Sequence, residues 1–177
     1  MNKIYFILII LLGGLYFSCT DADYTFNNKY DPVNMNLDPP ALFFHPYEVN
    51  ASVGQQISVE LYGYKLNPAA AAQLDIRYDW GSVKVDSVVA GPFFVGNNDA
   101  VEIIVDEQGV LDVFLYYLPD MESNESDEGT WSLATVYFTT LSMGESELLY
   151  GPNTQFRDAQ NDTVHINDYA TGIINVE

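Results

Sequence analysis

Cysteine is almost missing from this chain: Cys19 stands alone. No disulfide can therefore form within it, and the fold must be held by its core. Basic residues are scarce too, six Lys and Arg against 25 Asp and Glu, for a net charge of −19. That field repels phosphate backbones and anionic lipid headgroups, which excludes nucleic acid as a partner and adhesion through basic patches. It suits plain solubility, or a cationic or calcium-carrying partner. Histidine is limited to His45 and His165, and neither has a second histidine or cysteine at metal-ligand spacing, so both read as surface or edge-strand residues. There is no Gly-x-Ser-x-Gly elbow, phosphate-binding loop or dinucleotide fingerprint. No internal repeat of fixed period is present, against a solenoid or propeller. Carboxylates are plentiful, but spacing along a β-rich sequence cannot establish a glycosidase pair. The chain reads as a non-enzyme.

What is present is apolar patterning. With 177 residues, 48% hydrophobic and 14% aromatic, the sequence is one domain plus extensions, able to bury a substantial core. From Ala72 to Tyr78 the side chains alternate: Ala72, Leu74, Ile76 and Tyr78 on one face, Ala71, Gln73, Asp75 and Arg77 on the other. That is the period of a half-buried strand. Before it, Ile57, Val59 and Leu61 oppose Gln56, Ser58, Glu60 and Tyr62, and Asn67-Pro68 breaks the connection. After it, Asp79-Trp80-Gly81 turns the chain into an apolar segment with Val83, Val85, Val88 and Val89. Pro46, after Leu42 to His45, suits an edge strand, and Gly96-Asn97-Asn98-Asp99 is a turn. Val101 to Val105 and Val110 to Leu118 form a hairpin, with Leu111, Val113, Leu115 and Tyr117 inward and Asp112, Phe114 and Tyr116 outward. Thr130 to Thr139 is a further strand, with Ala134, Val136 and Phe138 on one face and Leu133, Thr135 and Tyr137 on the other. Pro119 to Gly129 is a long acidic loop; it lacks the ordered ligands of a calcium loop.

The N-terminus has Lys3, an apolar run from Ile4 to Leu12, then Ser18 directly before Cys19. The run is too short to span a bilayer and reads as a signal peptide. Ser18-Cys19 resembles a bacterial lipobox, of the looser kind met in Bacteroidetes, which implies lipid attachment at Cys19; ordinary secretion with a free thiol is the alternative. Residues 1–18 are then the signal peptide, 19–41 a lipid anchor and polar tether, and 42–177 the folded domain. Without Lys3 the chain keeps five basic against 25 acidic residues, a net of −20. Asp21 and Asp23 resemble the acidic signals that sort such lipoproteins to the outer face of the outer membrane, so the expected place is the cell envelope. Asp86-Ser87-Val88 and Asp162-Thr163-Val164 resemble O-glycosylation acceptors of the same bacteria. Sequons begin at Asn50, Asn124 and Asn161 and mean little in a bacterial host.

Ser52-Val53-Gly54 leading into Ile57-Ser58-Val59, then Leu74 to Asp79, Val83 to Gly91, Gly144-Glu145-Ser146-Glu147-Leu148 and a closing strand Gly172 to Val176 together resemble a cohesin domain. Trp80 stands where cohesins commonly have proline. The resemblance spans Phe43 to Val176 and implies an all-β, single jelly-roll sandwich of about nine strands. It implies a dockerin or dockerin-like partner, on a face including Gln73, Asp75, Arg77, Asp112, Phe114 and Tyr116. No metal or other cofactor belongs to this chain; calcium, where involved, is carried by the partner. Ala71 and Gln73 replace the polar pair of many dockerin binders. The reading is a monomeric surface lipoprotein in polysaccharide degradation. The alternatives are a carbohydrate-binding module that stacks glycan on Trp80 and Trp131, or an adhesin without a dockerin.

Overall fold

Period-two alternation decides where this chain pairs. A computed structural model describes residues 36–94, 101–117 and 128–177; the expected signal peptide, Cys19, most of the expected tether, the turn expected at 96–99 and nearly all of the acidic loop lie outside them. The strands are β1 (Ala41–His45), β2 (Glu48–Ala51), β3 (Gln56–Leu66), β4 (Ala71–Arg77), β5 (Val83–Ala90), β6 (Val101–Asp106), β7 (Val110–Tyr116), β8 (Gly129–Thr140), β9 (Gly144–Tyr150), β10 (Gln155–Arg157), β11 (Thr163–Val164), β12 (Asp168–Tyr169) and β13 (Gly172–Val176). The excess over nine comes from short pieces such as β10, β11 and β12. Among the described residues a short helical turn, Pro92–Phe94, follows β5.

Two sheets make the jelly-roll sandwich. One is ordered β12-β1-β3-β8-β5; the other runs β11-β10-β4-β9-β13-β2, with β7 also paired to β4 and β6 to β7. Between them lie Leu42, Phe44, Val59, Leu61, Leu74, Ile76, Leu111, Val113, Leu115, Val136, Phe138 and Ile174, all essentially without solvent contact. β1 is not an edge strand, because β12 pairs with it at Ala41 and Leu42 while β3 covers its other side. Pro46 instead falls where the chain leaves the first sheet for the second. The C-terminal strand closes the fold as expected, antiparallel to β9 and parallel to β2.

Two bulges change side-chain parity. In β5 the register shifts between Val85 and Ser87, so Val83 and Val88 both point inward and Val89 is exposed. In β8 Leu133 is skipped between the partners of Leu61 and Tyr62. Leu133 therefore turns into the core instead of outward with Thr135 and Tyr137. The β6–β7 hairpin is tighter than the four-residue loop the sequence suggests. Glu107 and Val110 exchange backbone bonds, leaving Gln108 (φ 44°) and Gly109 (φ 94°) as a two-residue turn with both φ positive, the geometry that matches strand twist.

Candidate functional site: the outer face of β4, β7 and β6

Register fixes this face. β4 pairs with β7 so that Ala71 opposes Tyr116, Gln73 opposes Phe114 and Asp75 opposes Asp112. β6 continues the rows, with Ile103 beside Phe114 and Val105 beside Asp112. On the other side of β4, Gln155 lies beside Gln73 and Arg157 beside Ala71. Cross-strand partners share a face, so Gln73, Asp75, Arg77, Asp112, Phe114 and Tyr116 all stand on the outer surface of one sheet.

They do not stand there in the same way. Ala71, Gln73, Ile103, Phe114, Tyr116, Gln155 and Arg157 line an open groove of about 490 Å³ whose exposed lining is mostly carbon. Phe114 and Tyr116 are half-buried in it. Its polar groups are already ordered: Gln155 Nε2 donates to Gln73 Oε1 at 3.0 Å, and Gln73 Nε2 donates to Asp112 Oδ1 at 3.1 Å. Arg157 Nη1 donates to Thr163 Oγ1 at 2.8 Å.

Asp75 was expected at the surface, and it is fully buried. The excursion between β9 and β10 covers it: Gly151 N donates to the Asp75 carbonyl at 2.7 Å and Asn153 N to its Oδ2 at 3.3 Å. Thr154 Oγ1 accepts from Asp75 N at 3.1 Å. Arg77 completes the cage, its Nη2 donating to Oδ2 at 2.9 Å while Nε stands 2.8 Å from Oδ1. The hydrogen bond to Asp75 raises the Arg77 pKa above its ordinary value. A methyl group on Gly151 would lie 2.4 Å from the Asp75 carboxyl carbon, so only glycine fits there. Outward parity thus gave Asp75 the right side of the sheet but not access to solvent.

Beside Arg77, Glu145, Glu147 and Leu149 of β9 are exposed on the same face. The surface is therefore graded, apolar over β7 and β6 and acidic over β9. Ile103, Gln155 and Arg157 were not singled out from sequence. Ile103 was within reach, since a hairpin closed by Glu107 and Val110 puts it opposite Phe114. Gln155 and Arg157 were not, because their short strand gives no periodic signal.

The two tryptophans do not form a strip. Trp80 is in the β4–β5 turn, next to Ser142, whose Oγ donates to the Gly81 carbonyl at 2.8 Å. Trp131 lies nine residues back along β8 from Thr140, about 30 Å away at strand rise. His45 and His165 are exposed, and among the described residues no group of three or more His, Cys, Asp or Glu side chains could hold a metal ion.

No family model matches the chain, and no curated protein matches it. Solved structures do. A non-cellulosomal cohesin from the archaeon Archaeoglobus fulgidus superposes with a TM-score of 0.61 at 14% identity, over 77% of this chain and 88% of that one. The sixth cohesin of scaffoldin B from Acetivibrio cellulolyticus, solved in complex with a mutant dockerin, gives 0.62 at 19% identity, over 77% and 98%. A cohesin from Clostridium acetobutylicum, CaCohA2, gives 0.63 at 18%, over 77% and 89%. The chain has the cohesin fold. At these identities the likeness is one of fold.

Proposed function

We propose that this domain is a non-catalytic docking module that receives a dockerin or dockerin-like protein on the outer face of β4, β7 and β6. The observation that carries the reading is the groove beside Phe114 and Tyr116: two aromatic anchors on a rigid sheet, next to Ile103 and edged by Gln73, Gln155 and Arg157, with Asp112 bonded to Gln73. Aromatic anchors in a carbon-lined depression with a charged rim are the composition of an interface core. The fold likeness adds support, because several of the similar cohesins were solved with dockerins.

The same proposal includes a lipid anchor at Cys19, a polar tether through residue 41, and display from the cell envelope for work on polysaccharide. Acyl chains bury methylenes worth about 0.8 kcal/mol each, so the anchor needs no contact from the folded domain.

The test is capture from the host's own secretome on immobilised chain, with and without EDTA. A captured protein that carries a dockerin-type calcium repeat, and that is lost both with chelator and with Phe114→Ala plus Tyr116→Ala, establishes the reading. Retention of polysaccharide alone, undiminished by those substitutions, contradicts it.

A further inference from the structure

One end of the sandwich carries large apolar side chains that the core does not use. Val53, Trp80, Leu141 and Met143 are 50%, 56%, 45% and 76% exposed. They come from three turns far apart in sequence, and hydrogen bonds knit those turns together. The β2–β3 turn is held on Thr140, whose Oγ1 donates to the Ser52 carbonyl at 2.7 Å while Gly54 N donates to the Thr140 carbonyl at 2.9 Å. The β8–β9 turn is held on the β4–β5 turn, Leu141 N donating to the Ser82 carbonyl at 2.8 Å. Asp79 fixes that last turn from within, accepting from Gly81 N at 2.9 Å and Ser82 Oγ at 2.6 Å. Those bonds hold its carboxyl below the usual range. A fourth turn touches the third, since a side chain on Gly109 would meet Trp80 Cδ1 at 3.4 Å.

The tip is thus preformed and oily, and its edge is acidic. Asp79, Asp106, Glu107 and Glu145 are all exposed around it; the nearby Lys84 is paired with Asp86 at 3.3 Å. Large exposed apolar side chains gathered on turns that are bonded together mark an interaction surface, and the rim selects its occupant. Anionic lipid is repelled. A second copy would bring one acidic rim against another. The chain's own segments fit no better. Residues 95–100 and 118–127 join the fold near Tyr117 and Gly129, at the far end of β8, and are too short to reach about 36 Å and return. Residues 20–35 carry Asp21, Asp23 and Asp31 against Lys29, the wrong sign for this edge.

We propose that the tip formed by Val53, Trp80, Leu141 and Met143 is a second docking surface, which takes an amphipathic segment of another protein with an apolar centre and a lysine- or arginine-rich rim. It is separate from the β4–β7 face: Phe114 stands four residues along β7 from Val110, about 13 Å.

Trp80 supplies the readout, once Trp131→Phe removes the other indole. The full-length chain is titrated with a synthetic leucine–lysine amphipathic helix, its leucine–glutamate counterpart and phosphatidylglycerol vesicles. The expected result is a blue shift of Trp80 with the lysine peptide alone, bound about tenfold or more tighter than the glutamate peptide. Leu141→Ser with Met143→Ser, which leaves charge unchanged, weakens it about tenfold, while Phe114→Ala does not. Equal binding by the serine variant would mean attraction by net charge alone and overturns the proposal. So does a Trp80 shift with vesicles, Trp80-dependent dimerisation in sedimentation, or loss of the peptide on Phe114→Ala.

Discussion

Asp75 and Phe114 occupy neighbouring strands of one sheet, point to the same side and lie two residues apart in register, yet their roles separate. Asp75 is sealed under the Gly151–Thr154 excursion and spends its acceptors on Asn153 and Arg77. Phe114 is half-open and lines a groove. The difference arises from the strand beyond β4. Opposite Gln73 and Ala71 that strand is regular β10, which adds flat surface. Opposite Asp75 it breaks, and the break folds back over the carboxylate. A sheet face is available for binding only where its neighbours stay in plane; where one leaves, the same parity yields a structural lock.

The comparison can be broken from either side. Asp75→Ala should have the largest effect on folding, about 2–4 kcal/mol in urea titration, because Asn153 N and the covering excursion lose their acceptor in a buried site. The face itself should bind normally at temperatures where the variant is folded. Phe114→Ala with Tyr116→Ala should do the reverse. It should weaken partner binding by at least 30-fold, about 2 kcal/mol by calorimetry, with a smaller change in unfolding midpoint. A variant pair that fails to dissociate in this way would mean that lock and groove are one unit.

Gly151→Ala sharpens the structural half. Its methyl would overlap the Asp75 carboxyl group, which Asn153 and Arg77 hold in place, and about 1–3 kcal/mol of destabilisation is expected from overpacking. High pH approaches the same region without mutation. Tyr150, next to Gly151, stacks on Phe44 at 4.6 Å, and burial pushes its hydroxyl pKa well up. Burial and the bond to Asp106 raise Tyr78 as well. Groups raised in the folded state keep their stabilising effect below the unfolded value of 10.0 and lose it as pH rises above that. Circular dichroism against pH should therefore show stability falling above pH 10. The smallest effect is reserved for Asp112→Asn. It keeps an acceptor for Gln73 but removes a rim charge, and should alter the salt dependence of association more than its affinity.

Much of the fold was legible because burial follows alternation so closely in β3, β4 and β7. The pairing of Gln73 with Phe114 was also implicit, since parity in two neighbouring strands places both outward. Parity failed at Leu133, where a bulge in β8 inserts a residue that no local pattern marks, and the bulge in β5 that leaves Val89 exposed is equally unmarked. It could not foresee the burial of Asp75, because the covering residues lie some 75 positions downstream and are polar and irregular themselves. The tip of Val53, Trp80, Leu141 and Met143 was invisible for a similar reason: each residue looks like an isolated exposed apolar side chain until three turns are brought together.

Hydrogen exchange of the bound domain addresses the central claim most directly. With the captured dockerin-like partner added, amides of 71–74, 101–106 and 110–117 should exchange more slowly, while those of β1, β3 and β5 on the opposite sheet should be unchanged. Protection confined to the outer face of β3, β8 and β5, with none in β6 or β7, would contradict the account.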